Sequence, residues 1–257
     1  MKIGWWSIGR FSCLLLGALL GSWAFAARAG DPDATSVDAA PATVRIVLAG
    51  DSTVADGNGW GPGFAKCLDD QAVCINAARN GRSSRSFRDE GLWAKCLAAN
   101  PQYVLIQFGH NDQPGKGPER ETEPGTTYRQ FMTDYVREAR AAGAVPVLIT
   151  SLSRRQWGDD GRIHSTLGPY VEVVKEVAAA ENVPLIDLHT RSIALYEQLG
   201  REGCNELSPL KDGEVDNTHL NAKGSQAIGP IVAEEVARAV PELAPHIRPP
   251  AEQPASE

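Results

Sequence analysis

The stretch IVLAGDSTVADGNGWG, residues 46–61, decides how the chain is read. A short apolar run, Ile46 to Ala49, stops at Gly50, and Asp51, Ser52 and Thr53 follow at once. A buried strand that ends on an acid and two hydroxyls makes a turn, holds a phosphate or aims a nucleophile. The rest of the sequence has to say which.

Working outward, similar runs recur at 73–78 (VCINAA), 103–109 (YVLIQFG), 145–150 (VPVLIT) and 183–188 (VPLIDL). They are short and rich in Val, Ile and Leu, the pattern of strands covered on both faces. Helical spacing fills the gaps at Phe64–Leu68, Phe87–Ala98, Tyr128–Ala142 and Leu167–Ala180, and a last helix, Ser225–Val240, follows a long polar loop. Gly143 in AGAVPV and Asn182 in ENVPLI are expected to close helices just before the next strand. Such alternation specifies an α/β class, a parallel sheet between two helix layers. Residues 42–241 read as one domain, 27–41 as a small, acidic linker, and 242–257 as a flexible C-terminal tail.

The first 26 residues have a different character. Lys2 and Arg10 precede an apolar run from Phe11 to Gly21, then small residues with alanines at 24, 26, 27 and 29. That is the pattern of a secretory signal peptide cut near Ala26, and the apolar run is short for a membrane span. The expectation is a secreted protein, periplasmic or extracellular, with no membrane attachment after cleavage. The formal net charge is −7, and residues 1–26 carry two bases and no acid. An acidic chain of this kind argues against a nucleic-acid partner. Cys67, Cys74, Cys96 and Cys204 remain after the signal. In an oxidising compartment four cysteines suggest disulfides in one of three connectivities, with Cys67–Cys74 a candidate pair.

In a doubly wound sheet, ligands gather at the carboxyl ends of the strands. Four segments would share that rim: Asp51–Ser52, RNGRSSRS (79–86), GHND (109–112) and DNTHLN (216–221). Each has a plain reading, as a helix cap, an Asn–Gly turn, a turn before proline, or the cap region of the last helix. Together they supply a hydroxyl, backbone donors at a glycine, a side-chain amide, and a histidine with a carboxylate three residues earlier. Those are the parts of acyl transfer: nucleophile, oxyanion donors, base and base-orienter.

GDST, Gly81 in NGRS, Asn111 in GHND and Asp216/His219 in DNTH resemble, in order, the four signature blocks of the SGNH (GDSL-type) hydrolases. Within that superfamily GDSTVAD, GWG at 59–61, NGRSSRSFRDEG and FGHND resemble the rhamnogalacturonan acetylesterases. The resemblance implies a flavodoxin-like, three-layer α/β/α fold with a five-stranded parallel sheet. It implies Ser52 as nucleophile, His219 as general base and Asp216 as the group that orients it. The N–H groups of Ser52 and Gly81 and the amide of Asn111 would form the oxyanion hole. Gly81 is expected to be glycine so that backbone can approach the substrate without a Cβ.

Other motifs do not complete. GNGWGPG has Pro62 where a dinucleotide fingerprint needs glycine; GHNDQPGKG lacks the P-loop spacing; no G-x-S-x-G or H-E-x-x-H occurs. No metal site and no cofactor are expected. Asp51 is expected to brace the nucleophile loop. Arg82 and Arg85 belong to a basic cluster (Arg79, Arg82, Arg85, Arg88) that would attract a uronic-acid polymer, or else pair with Asp89 and Glu90. His110 is expected either to line the pocket or to pack as a structural histidine, Trp157 to stack on sugar, and Trp60 either to stack on sugar or to belong to the core. The favoured reading is a secreted serine esterase acting on an acetylated polysaccharide or oligosaccharide, with rhamnogalacturonan as best guess. A lipase-like esterase or thioesterase on other short-chain acyl esters is the alternative, and a non-enzymatic sugar-binding domain a third.

Overall fold

A computed structural model describes residues 43–248. The expected signal peptide, the whole of the expected linker and residues 249–257 of the expected tail lie outside the described residues. Five parallel strands, β1 (Val44–Gly50), β2 (Ala72–Asn76), β3 (Tyr103–Gln107), β4 (Val145–Ile149) and β5 (Leu185–Ile186), form one sheet in the order β2-β1-β3-β4-β5. This is the flavodoxin-like order, and its direction of winding reverses between β1 and β3.

The period-two alternation of each strand decides which helices cover which face. Ile46, Leu48, Leu105, Val147 and Ile149 point into one core, with Phe64, Tyr196, Ile228, Val232 and Val236. Those partners come from α1 (Gly61–Ala65), α6 (Leu188–Asn205) and α7 (Ala222–Ala239). Val47, Ala49, Val104, Ile106 and Leu148 point the other way, against Phe87, Trp93, Met132, Tyr135 and Val174. These belong to α2 (Ser86–Asp89), α3 (Leu92–Ala98), α4 (Arg129–Ala141) and α5 (Gly168–Glu181). The result is the three-layer α/β/α sandwich expected from the alternation.

The two expected helix stops are Schellman caps. After α4, Gly143 (φ +80°) donates to Arg140 O and Ala144 to Ala139 O; after α5, Asn182 (φ +50°) donates to Ala179 O and Val183 to Ala178 O. Each cap turns the chain directly into its strand. The single helix expected at Phe87–Ala98 is two, because Gly91 takes φ +71° between α2 and α3. The stretch expected as a long polar loop before the last helix begins with α6, 18 residues with a break at Gly200. A small antiparallel hairpin, β6 (Leu210–Lys211) and β7 (Glu214–Val215), follows it.

Two further expectations are revised. Packed structure continues past 241: Pro241–His246 is a 3-10 helix, Leu243 is buried, and Ile247 bridges Leu68. No disulfide forms among the described residues; Cys67, Cys74, Cys96 and Cys204 are free. Cys96 and Cys204 pack into the cores on opposite faces of the sheet, and Cys67 Sγ donates to Gly63 O within its own helical turn. Burial pushes the thiols of Cys74 and Cys96 up to about 12, so they behave as small apolar side chains.

Candidate active site

Ser52 sits in a turn at the end of β1, directly at the β1/β3 switch point, and the turn is held from beneath. Asp51 Oδ1 accepts from Thr53 N (2.8 Å) and Thr53 Oγ1 (2.7 Å). Thr53 Oγ1 accepts from Gln107 Nε2 (2.7 Å), and Gln107 Oε1 accepts from Trp60 Nε1 (2.9 Å). All four side chains are fully buried, so each link replaces hydration lost on folding. Asp51 is therefore a brace, as expected. Burial raises its pKa above the ordinary carboxylate value, the bonds from Thr53 working against that. Trp60 is core and cannot stack on sugar. Its glycine neighbours explain the GWG motif: Trp60 N and Gly61 N donate to Thr53 O (2.9 Å) and Val54 O (3.1 Å), and a Cβ at Gly59 or Gly61 would lie 2.5 or 2.4 Å from backbone atoms there.

His219 arrives from the loop between β7 and α7. Its Nε2 lies 2.8 Å from Ser52 Oγ, and its Nδ1 lies 2.7 Å from Asp216 Oδ2. With Nδ1 protonated and donating to the carboxylate, the Nε2 lone pair faces the serine hydroxyl. Asp216 Oδ1 also accepts from the backbone of Thr218 (2.7 Å) and His219 (3.0 Å). Partial burial works against its charged form, but these bonds outweigh it and hold the carboxyl at about 2. The loop is anchored by a residue the sequence did not single out. Arg155, only 4% exposed, donates through Nη2 to Asp216 O (3.1 Å) and His219 O, through Nε to Ser208 Oγ (2.9 Å) and through Nη1 to Tyr196 OH (3.3 Å).

The groups expected as oxyanion donors share a cleft with His219. The N–H groups of Ser52 and Gly81 donate to no other group among the described residues. Asn111 Nδ2 spends one N–H on Arg82 O (3.1 Å), which leaves the second for a ligand. Gly81 has φ +77°, and a Cβ there would meet no atom of the protein within 4 Å. Its requirement for glycine is thus carried by backbone conformation. A second unforeseen residue joins these donors. Asp112 is fully buried and accepts from Ser84 N (3.1 Å), Ser84 Oγ and Thr122 Oγ1 (2.9 Å), tying the Gly81 loop to the Asn111 loop. Burial pushes its carboxyl up to about 7 despite those bonds. The GHND block held the signal for it, since the acid follows the oxyanion amide directly.

Ser52, Gly81, Asn111, Asp216 and His219 line one cleft of about 570 Å³ with His110, Lys116, Arg154, Lys211 and Glu214. His110 lines it as expected, although 3% exposed; Nε2 lies 2.8 Å from Leu152 O, and Nδ1 has no partner among the described residues. Burial, reinforced by the charge of Arg154, holds its pKa well below the ordinary value, so the ring is neutral. Arg82 and Arg85 do not line this cleft. Arg82 pairs with Glu90 (2.9 Å), and Arg85 donates to Pro118 O (2.7 Å) and lies over Phe131. Trp157 lies outside it as well, with Arg201 over its ring at 5.7 Å, in a neighbouring hollow that shares Glu214 and Asn217 with the cleft.

Residues 48–227 match the GDSL-like Lipase/Acylhydrolase family. The chain is 38% identical over 211 residues to the rhamnogalacturonan acetylesterase RhgT of Bacillus subtilis (strain 168), covering 75% of this chain and 89% of that one. It is 37% identical over 200 residues to the probable rhamnogalacturonan acetylesterase YesY of the same organism, covering 75% and 92%. Among solved structures it resembles YxiM of Bacillus subtilis, with a TM-score of 0.67 and 27% identity over 76% of this chain and 56% of that one. A catalytic mutant of Axe2, an acetylxylan esterase from Geobacillus stearothermophilus, shares the fold with a TM-score of 0.59 at 16% identity, covering 77% and 95%. The chain belongs to the GDSL-like lipase/acylhydrolase family and is a carboxylic ester hydrolase.

Proposed function

We propose that the chain is a secreted serine acetylesterase that deacetylates a pectic polysaccharide of the rhamnogalacturonan type. The observation that carries the mechanism is His219, hydrogen-bonded on one side to Ser52 Oγ and on the other to Asp216, opposite uncommitted N–H donors in the same cleft. His219 Nε2 takes the Ser52 proton as Oγ attacks the acetyl carbonyl carbon. The carbonyl electron pair moves onto oxygen, where the N–H groups of Ser52 and Gly81 and the amide of Asn111 receive it. As the tetrahedral species collapses, the bond from carbon to the sugar oxygen breaks, and that oxygen takes the proton from His219. Acetyl-Ser52 remains. Water then attacks it, gives a proton to His219, and acetate leaves as Ser52 Oγ recovers its hydrogen. Asp216, ionised at any pH above about 2, stabilises the imidazolium in both steps.

The substrate assignment is supported by the two relatives named rhamnogalacturonan acetylesterase and by a cleft lined with Lys116, Arg154, Lys211 and Glu214. A lipid acyl chain would be poorly received among such groups. Secretion is supported by the pattern of residues 1–26. The test is acetate release from acetylated rhamnogalacturonan and acetylated xylan, beside a p-nitrophenyl acyl chain-length series, for wild type and Ser52→Ala. Release from rhamnogalacturonan, preference for short acyl chains and a loss on the order of 10⁵-fold or more in Ser52→Ala support the reading. Preference for long chains would replace it with a lipase-like activity, and an active Ser52→Ala would overturn the mechanism.

A further inference from the structure

The positive charge placed around Ser52 differs from what the basic run at 79–88 suggests. In that run Arg82 is neutralised by Glu90 and Arg88 by Glu138, while Arg85 is spent on a carbonyl and an aromatic ring. The cleft instead receives three cations from three separate loops: Lys116 after β3, Arg154 after β4 and Lys211 on the β6–β7 hairpin. None of the three has a carboxylate within 4.0 Å among the described residues, although most arginines on this surface are ion-paired.

The Arg154 side chain is fixed directly, and the backbone that carries the two lysines is shaped by its own loop. Arg154 Nη1 is fixed by Gln113 Oε1 (2.6 Å) and Thr166 Oγ1 (3.1 Å), both uncharged. The loop carrying Lys116 is pinned where Gly117 N donates to Glu121 Oε1 (2.8 Å). Lys211 precedes a tight turn, Asp212–Gly213, in which both residues have positive φ (+53° and +86°). It faces Glu214 across that hairpin in register, and the two form no ion pair among the described residues. Three cations without an ion pair among the described residues share the cleft with the carboxylates Glu214 and Asp216, the latter committed to His219, and so favour an anion there. All three line the cleft that holds Ser52, so an anion they receive lies in the same cleft as the reacting ester.

We infer that Lys116, Arg154 and Lys211 form a carboxylate-binding subsite that reads a uronate of the polymer next to the acetyl group cleaved at Ser52. The inference deepens the reading above and rests on it for the identity of the polymer. Its chemistry also admits a second source, the acetate product, and the test separates the two.

The test measures inhibition of p-nitrophenyl acetate hydrolysis by three probes: a non-acetylated oligogalacturonide, a neutral galactan oligosaccharide of equal length, and sodium acetate. Each variant is compared with its own uninhibited rate, so changes in turnover do not enter. Wild type is expected to be inhibited competitively by the oligogalacturonide far better than by the neutral sugar or acetate, and less so as salt rises. Lys116→Gln with Lys211→Gln should raise that inhibition constant about tenfold, as should Arg154→Gln, while Lys116→Arg with Lys211→Arg should keep it near wild type. Equal inhibition by the neutral sugar, an effect reproduced by acetate alone, or a constant unchanged in the glutamine variants would each overturn the subsite. If wild type shows the expected pattern yet releases no acetate from acetylated rhamnogalacturonan, the substrate reading falls and the carboxylate subsite stands.

Discussion

At the scale of single residues, two buried side chains support the reaction without facing it. Arg155 holds the carbonyls of Asp216 and His219, so it fixes the loop that presents the base. Arg155→Met should lower kcat for p-nitrophenyl acetate by on the order of 100-fold, the scale of a misplaced catalytic group, with Arg155→Lys in between. Turnover that survives intact in the methionine variant would show that the loop holds itself. Asp112 makes a prediction about pH. Its carboxyl titrates at about 7 in the fold and near the ordinary value of about 3.9 in the unfolded chain. The fold therefore binds this proton more tightly, and the stability that Asp112 contributes is complete below about pH 4 and lost as pH rises toward 7. Asp112→Asn removes the titration. The difference in unfolding free energy, wild type minus variant, should fall by up to about 4 kcal/mol between pH 4 and 8. Denaturant melts across that range check it, and a constant difference would mean that Asp112 is ionised throughout.

At the scale of elements, the distance between Ser52 and His219 depends on two helices in direct contact. α1 follows the Ser52 turn and α7 follows the His219 loop, and they meet through glycines. Gly63 N donates to Ser225 Oγ (3.0 Å), and a Cβ on Gly229 would lie 2.2 Å from the Gly63 backbone. Gly229→Ala must push α7 away from α1. Overpacking of this kind costs about 1–3 kcal/mol, and in a chain of this size each kilocalorie lowers Tm by about 2–4 °C. Because the same displacement separates His219 from Ser52, kcat should fall along with Tm. A variant that loses Tm but keeps kcat would show that the His219 loop is positioned independently of α7. The elements also explain which parts of the sequence were readable. β1–β4 and the caps at Gly143 and Asn182 were visible because Val/Ile/Leu runs and left-handed residues are local signals. α6 was not, because Gly200 and Gly203 interrupt its helical period and the contacts that stabilise Tyr196 and Cys204 are with the distant sheet.

At the scale of the whole molecule, stability rests on two cores and needs no covalent staple among the described residues. The four described thiols should all react with a thiol reagent in denaturant without reductant, and a reducing agent should leave Tm unchanged. A drop in Tm on reduction would reveal a disulfide pair. The charge distribution is a molecular property too. Along the chain the basic run at 79–88 stands out, but folding pairs Arg82 with Glu90 and Arg88 with Glu138 and places Lys116, Arg154 and Lys211 in the cleft without ion pairs among the described residues.

The sequence by itself determined the class of fold and the catalytic candidates, since strand periodicity and the four rim blocks are each written in a few adjacent residues. Ser52, Gly81, Asn111, Asp216 and His219 were all identifiable before any geometry. Only the tertiary structure decided how those blocks are held and what they face. Arg155 and Asp112 act through contacts with segments 61 and 28 residues away, and Arg82, Arg85 and Trp157 lie outside the cleft because of partners elsewhere in the chain. The physical reason is range. Secondary structure and turn chemistry follow from neighbours in sequence, whereas burial, pairing of charge and the lining of a cavity depend on which distant groups the sheet brings together.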